Sequence, residues 1–135
     1  MYWAKLKRSL LLIGVLPFGL TACGSGGGDP VRGSELYAKE CAACHSLSAS
    51  TVNAPMHCGL IGRKAGTVPG FPYSEAMRSS GLVWDEQTLD EFLTAPFIVM
   101  PGTLMGFPGF SQEADRADVI AYLKQASVDP QQCAK

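Results

Sequence analysis

The sequence predicts an all-α domain in which about four helices are joined by long loops. Three observations indicate this fold class. Helix-start signals precede segments that carry apolar positions at helical spacing. No segment has the alternating pattern of an extended β-sheet. The connecting stretches are rich in serine, glycine, proline and asparagine, and two of them are long, at residues 46–73 and 95–110.

In the first half of the domain, the predicted helices cover residues 30–43 and 75–80. Asp29 is a preferred N-cap residue, and Pro30 suits the first position of a helix. Ser74 is the cap expected for the shorter helix.

In the second half, Asp85 is expected to cap a helix over residues 86–94, which Pro96 ends. Ser111 is expected to cap the last helix, over residues 112–126. Each of these helices has an apolar side, formed by Leu89, Phe92 and Leu93 in the first and by Val119, Ile120, Tyr122 and Leu123 in the second.

The segment Cys41-Ala42-Ala43-Cys44-His45 has the C-x-x-C-H pattern of covalent haem attachment. The two thiols can add to the vinyl groups of one porphyrin, and His45 then presents an imidazole to the iron. A zinc site would need a second ligand pair at similar spacing, and a thioredoxin-like motif would need a βαβ context. The chain has neither, so the motif predicts one covalent haem c. A haem also explains the long loops, because they can wrap the macrocycle instead of packing on themselves.

Residues 1–22 are predicted to be a bacterial lipoprotein signal peptide. A positive segment that contains Lys5, Lys7 and Arg8 precedes an apolar run that is too short to span a bilayer. A sequence that resembles a lipobox ends at Cys23, which implies cleavage before this residue and acylation of its thiol. An ordinary secretory signal with an incidental cysteine is the alternative.

Residues 23–30 are predicted to be a flexible tether because they contain a Gly/Ser run, and residues 31–135 to form one domain. Such a chain is fixed at one end to the periplasmic side of a bacterial membrane, where several acyl chains hold more firmly than one. The formal net charge is −1, and removal of the three signal-peptide cations leaves −4. No basic patch indicates nucleic-acid binding.

A six-coordinate haem iron needs a second donor on the face opposite His45. The candidates are four methionines and one further histidine, Met56, Met77, Met100, Met105 and His57. Met105 is favoured because proline and glycine shape the loop around it and can bring its side chain inward. Thioether ligation raises the haem potential and leaves no open coordination position, which favours electron transfer over oxygen activation.

The chain resembles class I c-type cytochromes, in the branch that contains mitochondrial cytochrome c and bacterial cytochrome c2. The resemblance runs from Gly33 to about Lys124. It is carried by the haem motif and by further segments in family order, at residues 59–66, 70–74, 81–84, 101–105 and 118–124. It implies the cytochrome c fold, with Gly33 and Tyr37 on the first helix meeting Val119 and Tyr122 on the last.

The resemblance also implies a role for each matching residue. His45 is the proximal and Met105 the distal iron ligand, and the Pro55 carbonyl accepts a hydrogen bond from His45. Four further residues are expected to hold, screen or approach the haem propionates, namely Arg63, Tyr73, Trp84 and Thr103.

The sequence departs from the family at the exposed haem edge. Lysines surround this edge in mitochondrial cytochromes, and the matching positions here are Glu40, Phe97, Ile98 and Leu104. We therefore expect weak electrostatic steering, and an apolar docking patch for redox partners formed by Phe97, Ile98 and Leu104.

Two positions beside the haem also differ from the family. Phe92 replaces a tyrosine whose hydroxyl lies near the ligand sulfur, and His57 replaces an apolar residue. His57 is expected to be a partly exposed packing residue, and iron ligation is the alternative.

Cys58 and Cys133 remain once the haem and lipid cysteines are assigned. The family fold places the segments that carry them close together, so a disulfide is expected in an oxidising periplasm. Two unpaired thiols are the alternative.

These features predict a monomeric, non-enzymatic electron carrier of respiration or photosynthesis. The alternative is a haem c subunit that is permanently bound to a larger membrane oxidoreductase through the apolar patch. A haem enzyme or gas sensor ranks last, because it needs an open distal site.

Overall fold

The computed structural model describes residues 27–134, so the predicted signal peptide and Cys23 lie outside the described residues. Six helices form in this range, α1 Pro30–Glu40, α2 Glu75–Ser79, α3 Glu86–Thr94, α4 Pro96–Val99, α5 Glu113–Ala126 and α6 Pro130–Cys133. Across residues 27–134 no strand forms, and β pairing is limited to one isolated bridge between Lys64 and Val83. The predicted all-α fold class is confirmed. None of the helices described is long and apolar enough to cross a membrane.

Helix α1 begins as predicted, because the Asp29 side chain accepts hydrogen bonds from the backbone N–H groups of Val31 and Arg32. It ends at Glu40, three residues before the predicted end at residue 43. The chain then forms a separate turn, in which the N–H groups of Cys44 and His45 both donate to the Cys41 carbonyl at 3.1 and 2.9 Å. The haem motif therefore follows the helix and is not part of it.

The starts of α2 and α3 are those expected from the sequence. Ser74 caps α2 by accepting from the N–H of Met77 at 3.2 Å, and this helix ends one residue earlier than predicted. Asp85 and Thr88 cap α3 reciprocally, with each side chain bonded to the backbone N–H of the other residue, and α3 covers the predicted residues 86–94.

Two predictions for the second half of the chain were wrong, and one helix was missed. Residues 95–110 were expected to be irregular, but α4 forms within them. It begins at Pro96, where the missing N–H of proline removes no helical hydrogen bond. Ser111 does not cap α5, which starts after Gln112 without a side-chain cap and has Glu113 and Asp115 in its first turn. Their negative charges are favourable at the positive end of the helix dipole. The sequence reading also missed α6, which Asp129 caps.

Helices α1 and α5 pack closely enough that only glycine fits at position 33. A Cβ atom there would overlap the backbone carbonyl of Asp118 and lie 2.9 Å from the Cβ of Tyr122. The Asp118 carboxylate also accepts from the backbone N–H of Asp29 at 2.6 Å and pairs with the Arg32 guanidinium. The expected meeting of the first and last helices is therefore present, and Asp118 is central to it.

Helix α5 also binds α3 through a buried arginine. The Arg116 Nε donates to the Asp90 carboxylate at 2.7 Å, and Nη1 donates to the Phe110 carbonyl at 3.0 Å. Because the guanidinium has these partners, its burial does not leave a charge uncompensated. The predicted apolar residues of α3 are all buried, as are Val119, Ile120 and Leu123 of α5, whereas Tyr122 is half-buried.

Candidate haem site

A cavity of about 580 Å³ lies within this helical frame. Its apolar walls come from the loop before α2 and from α3 and α5, and they include Leu60, Leu89, Phe92, Leu93, Val119 and Leu123. The volume is within the range of about 300–1,000 Å³ that is typical of ligand sites. The remaining lining residues carry the polar and sulfur-containing groups described below.

All the residues predicted to contact the haem line this one cavity. They are Cys41, Cys44, His45, Pro55, Arg63, Tyr73, Trp84, Thr103 and Met105. Their positions in the chain span more than sixty residues, so the fold brings together groups that the sequence separates widely. What each residue does to a haem remains a prediction.

The turn after α1 holds the haem motif at the wall of the cavity. Cys41 and Cys44 carry free thiols, and both side chains line the cavity. Burial raises the pKa of the Cys41 thiol to about 11, so it is protonated near neutral pH. Two neighbouring thiols in this position suit covalent attachment to one porphyrin.

The His45 imidazole is held by a backbone carbonyl. Its Nδ1 lies 2.9 Å from the Pro55 oxygen, the distance expected when the N–H donates to this carbonyl. Burial lowers the pKa of His45, so the ring is neutral near neutral pH. The Nε2 atom of such a ring keeps its lone pair for a metal ion.

The structure distinguishes between the candidate methionines. Met77 and Met105 line the cavity, whereas Met100 is buried in the hydrophobic core and does not line it. Met56 is also absent from the lining, and its carbonyl accepts from Arg63 at 2.8 Å. The backbone N–H of Met105 donates to the Thr103 hydroxyl at 3.3 Å, which helps to shape the loop around the thioether. Met77 is therefore the methionine that competes with Met105.

Polar groups suited to a carboxylate line another part of the cavity. Trp84 is buried, and its indole N–H donates no hydrogen bond to any residue between 27 and 134. Burial raises the pKa of Tyr73, so its hydroxyl keeps a proton to donate. Arg63 instead supports the loop, because its Nη1 and Nη2 atoms donate to the carbonyls of Cys58 and Met56 at 2.7 and 2.8 Å. A cation at this position can still screen a nearby carboxylate.

His57 lies on the same side of the cavity as His45. The two imidazole rings are stacked, with centroids 4.2 Å apart and planes inclined by 20°. The Nδ1 atom of His57 is 3.1 Å from the Tyr37 hydroxyl. Burial, and then the neighbouring His45 and Arg63, lower the pKa of His57 well below its usual value. The geometry favours a packing role over ligation opposite His45, because the stacked His57 ring lies beside His45 and not across the cavity from it.

Cys58 and Cys133 form a disulfide, with their Cα atoms 5.6 Å apart. The backbone N–H of Gly59 also donates to the Ser127 carbonyl at 2.7 Å. These links join the loop that contains Pro55 and His57 to the end of α5 and to α6. The disulfide therefore braces the same loop that holds His45.

The sequence reading missed two features of the site. Val52 lines the cavity although the residue is 92% exposed, and nothing in its serine-rich segment signals a contact with a haem. The hydrogen bond between Tyr37 and His57 was also missed. Its partners are 20 residues apart, and only the turn that follows α1 brings them together.

The donors in the cavity fit a haem. Two thiols, a neutral imidazole and a thioether line one largely apolar space, and an unpaired indole N–H is available for a propionate. Within residues 27–134 no group of three or more His, Cys, Asp or Glu side chains is arranged to hold a bare metal ion. The two thiols, the imidazole and the thioether are the groups that suit an iron porphyrin.

Comparison with known proteins agrees with this chemistry. The family model described as cytochrome c matches residues 30–127. This chain belongs to the cytochrome c family. It is 49% identical over 98 residues to cytochrome c2 of Rhodomicrobium vannielii, in a match that covers 71% of this chain and 78% of the relative. It is 47% identical over 104 residues to cytochrome c2 of Rhodoblastus acidophilus, covering 76% and 96%.

A solved structure supports the same assignment. Cytochrome cH from Methylobacterium extorquens superposes with a TM-score of 0.68 at 41% identity, covering 72% of this chain and 98% of that chain. The predicted cytochrome c fold and the single covalent haem c are thereby confirmed. As a member of this family, the protein is an electron carrier and not an enzyme.

We predict that the Cys58–Cys133 disulfide contributes substantially to the stability of this cytochrome. The two cysteines are 75 residues apart, and chain-entropy models give about 4–5 kcal/mol for a loop of this length. The double variant Cys58→Ser/Cys133→Ser should lose free energy of unfolding on that scale in urea titrations. With the haem kept ferrous in every sample, a thiol reductant should destabilise the wild type by a similar amount and leave the double variant unchanged. Two free thiols per molecule, titrated in the unfolded and unreduced wild type, would contradict the prediction.

Proposed function

We propose that this cytochrome is a lipid-anchored periplasmic carrier that passes single electrons between redox proteins of respiration or photosynthesis. The observation that carries the proposal is that His45, Met105 and both motif thiols line one cavity. When bound, haem c supplies a one-electron ferric–ferrous couple. The chain's own task is then to hold the iron with fixed donors and to keep water away from it.

In this proposal His45 and Met105 are the two iron ligands. The Pro55 carbonyl orients His45, and the Thr103 hydroxyl supports the backbone of Met105. Trp84, Tyr73 and Arg63 compensate the haem propionates, because carboxylates near an apolar core are costly without donors or cations. Two strong ligands leave no position for a substrate, which is the reason that the site transfers electrons and does not activate oxygen.

Met105 and Met77 provide a matched test of the ligand assignment. Met105→Leu should abolish the long-wavelength absorption band of a methionine–iron bond, lower the reduction potential and allow carbon monoxide to bind the ferrous protein rapidly. Met77→Leu should keep the band and exclude carbon monoxide, although its side chain lines the same cavity. Loss of the band in Met77→Leu, with retention in Met105→Leu, would contradict the assignment.

The partner surface in this proposal is the apolar patch of Phe97, Ile98 and Leu104. These residues are 51%, 80% and 78% exposed, which is high for large apolar residues. Leu104 also lines the cavity beside Met105, so a protein seated on the patch approaches the haem edge. Lys39 is paired at 2.8 Å with Glu40, which lines the same cavity, and so adds little net positive charge there. We therefore propose a redox partner whose docking face is apolar and largely uncharged.

We predict that electron transfer through this patch depends weakly on salt. Reduction by membranes of the source bacterium should change by less than about twofold with ionic strength, where steered pairs change on the order of tenfold or more. Ile98→Lys/Leu104→Lys should slow the reaction severely. Val31→Lys/Val128→Lys adds the same charge at exposed valines outside the cavity lining and should leave the rate unchanged. A steep loss of wild-type rate with salt would argue against the patch.

The exposure of the patch also favours the alternative, in which the protein is a permanent subunit of an oxidoreductase. Gel filtration after mild solubilisation distinguishes the two cases. A carrier elutes alone at the size of a monomer. A subunit elutes with a larger complex, and the Ile98→Lys/Leu104→Lys variant should dissociate from it.

The anchor in this proposal is an acyl group on Cys23, which follows a signal peptide at residues 1–22. Residues 23–30 form the tether and residues 31–135 the domain. The end of the tether contacts the domain, because the backbone of Gly28 packs against Ala117 and that of Asp29 bonds to Asp118. An anchor keeps the carrier near its membrane partners and raises its effective concentration to about the millimolar range.

We predict that Cys23→Ser moves the protein from the membrane fraction to the soluble periplasmic fraction. The change removes the acceptor thiol, so no acyl chain can hold the protein at the bilayer. Ser25→Ala alters the same segment without touching that thiol and should remain with the membrane. Mass spectrometry of the wild type should show an acylated Cys23 at the mature amino terminus. A wild type that is soluble and unmodified would indicate an ordinary secretory signal.

A further inference from the structure

The His57 ring lies directly against the proximal histidine. Its centroid is 4.2 Å from that of His45, and the two planes are inclined by only 20°. The contact therefore covers one face of the His45 imidazole. His57 is held in turn by a hydrogen bond of 3.1 Å between its Nδ1 atom and the hydroxyl of Tyr37 on α1.

A ligand imidazole can rotate about its bond to the metal unless its surroundings prevent this rotation. The Pro55 carbonyl restrains one edge of the His45 ring through a bond of 2.9 Å. A carbonyl oxygen accepts hydrogen bonds from a broad range of directions, so this restraint alone leaves some rotation. A second ring stacked on the face of His45 blocks rotation toward that side, because the imidazole would have to pass through the atoms of His57.

The support for His57 leads back to the helical frame. Tyr37 is buried, and burial raises its pKa, so its hydroxyl stays protonated and can donate to His57. Its ring packs against Tyr122 of α5 with centroids 5.2 Å apart. The backbone of His57 is fixed too, since its N–H donates to the Ser46 carbonyl at 3.1 Å. The neighbouring Cys58 lies in the disulfide.

We propose that His57 is a positioning residue. It sets the rotational orientation of the haem ligand His45 and is itself held by the Tyr37 hydroxyl. The inference rests on the proposed ligation of iron by His45. The orientation of an axial imidazole determines how unpaired spin is distributed over a ferric haem. It is therefore visible in the paramagnetic shifts of the haem methyl groups and in the electron paramagnetic resonance g-values.

The test compares these spectra for the ferric holoprotein and its variants. His57→Leu should shift the haem methyl resonances from their wild-type positions, because the stacked ring is absent. Tyr37→Phe keeps the packing on Tyr122 but removes the hydroxyl, and it should shift the same resonances in the same direction by a smaller amount. Tyr122→Phe is the matched control, since it removes a hydroxyl from the same aromatic cluster without a bond to His57, and its spectrum should match the wild type.

A double variant distinguishes positioning from general loosening of the fold. If Tyr37 acts through His57, adding Tyr37→Phe to His57→Leu should cause no further shift of the haem methyl resonances. Additive shifts would overturn the proposal, as would a wild-type spectrum in either single variant. If His57→Leu fails to load haem, His57→Asn replaces it, because asparagine can still bond to Tyr37 but has no ring to stack.

The wild-type spectrum shows whether a failed test contradicts the positioning role of His57 or the proposed ligation of the iron. A methionine–iron absorption band and a low-spin ferric signal in the wild type support ligation by His45 and Met105, whatever the variants show. If the wild type lacks these signatures, the ligand assignment fails first. If the wild type has them and the His57 and Tyr37 variants share its methyl shifts, only the positioning role is overturned.

Discussion

The close approach of α1 and α5 at Gly33 is the constraint on which the rest of the structure depends. At this crossing the backbone of α1 lies on the carbonyl of Asp118, and the same aspartate binds Asp29 and Arg32 through its carboxylate. The contact fixes the position of α1 on α5, and therefore where the turn with Cys41 and Cys44 that follows α1 meets the cavity. It also orients α5 so that Val119 and Leu123 form part of the cavity wall.

The loops around the cavity are held by specific bonds more than by regular structure. Arg63 donates to two carbonyls of the loop that follows Pro55, and the Cys58–Cys133 disulfide attaches this loop to the end of the chain. A long segment without helices can be stable in this arrangement, because its apolar side chains face a haem and its polar backbone groups have partners. The same bonds keep the Pro55 carbonyl at the distance needed by His45.

Much of the fold and site could be predicted because the signals are local. The caps of Asp29, Ser74 and Asp85 act within three residues, so they are readable in the sequence and present in the structure. Local signals were insufficient at Ser111 and Pro96. Charged residues in the first turn replace a side-chain cap in α5, and proline both ends one helix and begins the next. The exposure of Ile98 and Leu104 agrees with their proposed place in a docking patch.

The sequence by itself determined the chemistry of attachment, because two thiols and an imidazole within five residues, without a second ligand pair or a βαβ context, indicate covalent haem binding. It also determined the fold class and the family, through caps, apolar periodicity and ordered segments. Only the tertiary structure decided which methionines reach the cavity, on which side His57 lies, and that Tyr37 holds it. These facts depend on contacts between residues far apart in the chain. Such contacts follow from how α1, α5 and the intervening loops pack, and no local pattern records them.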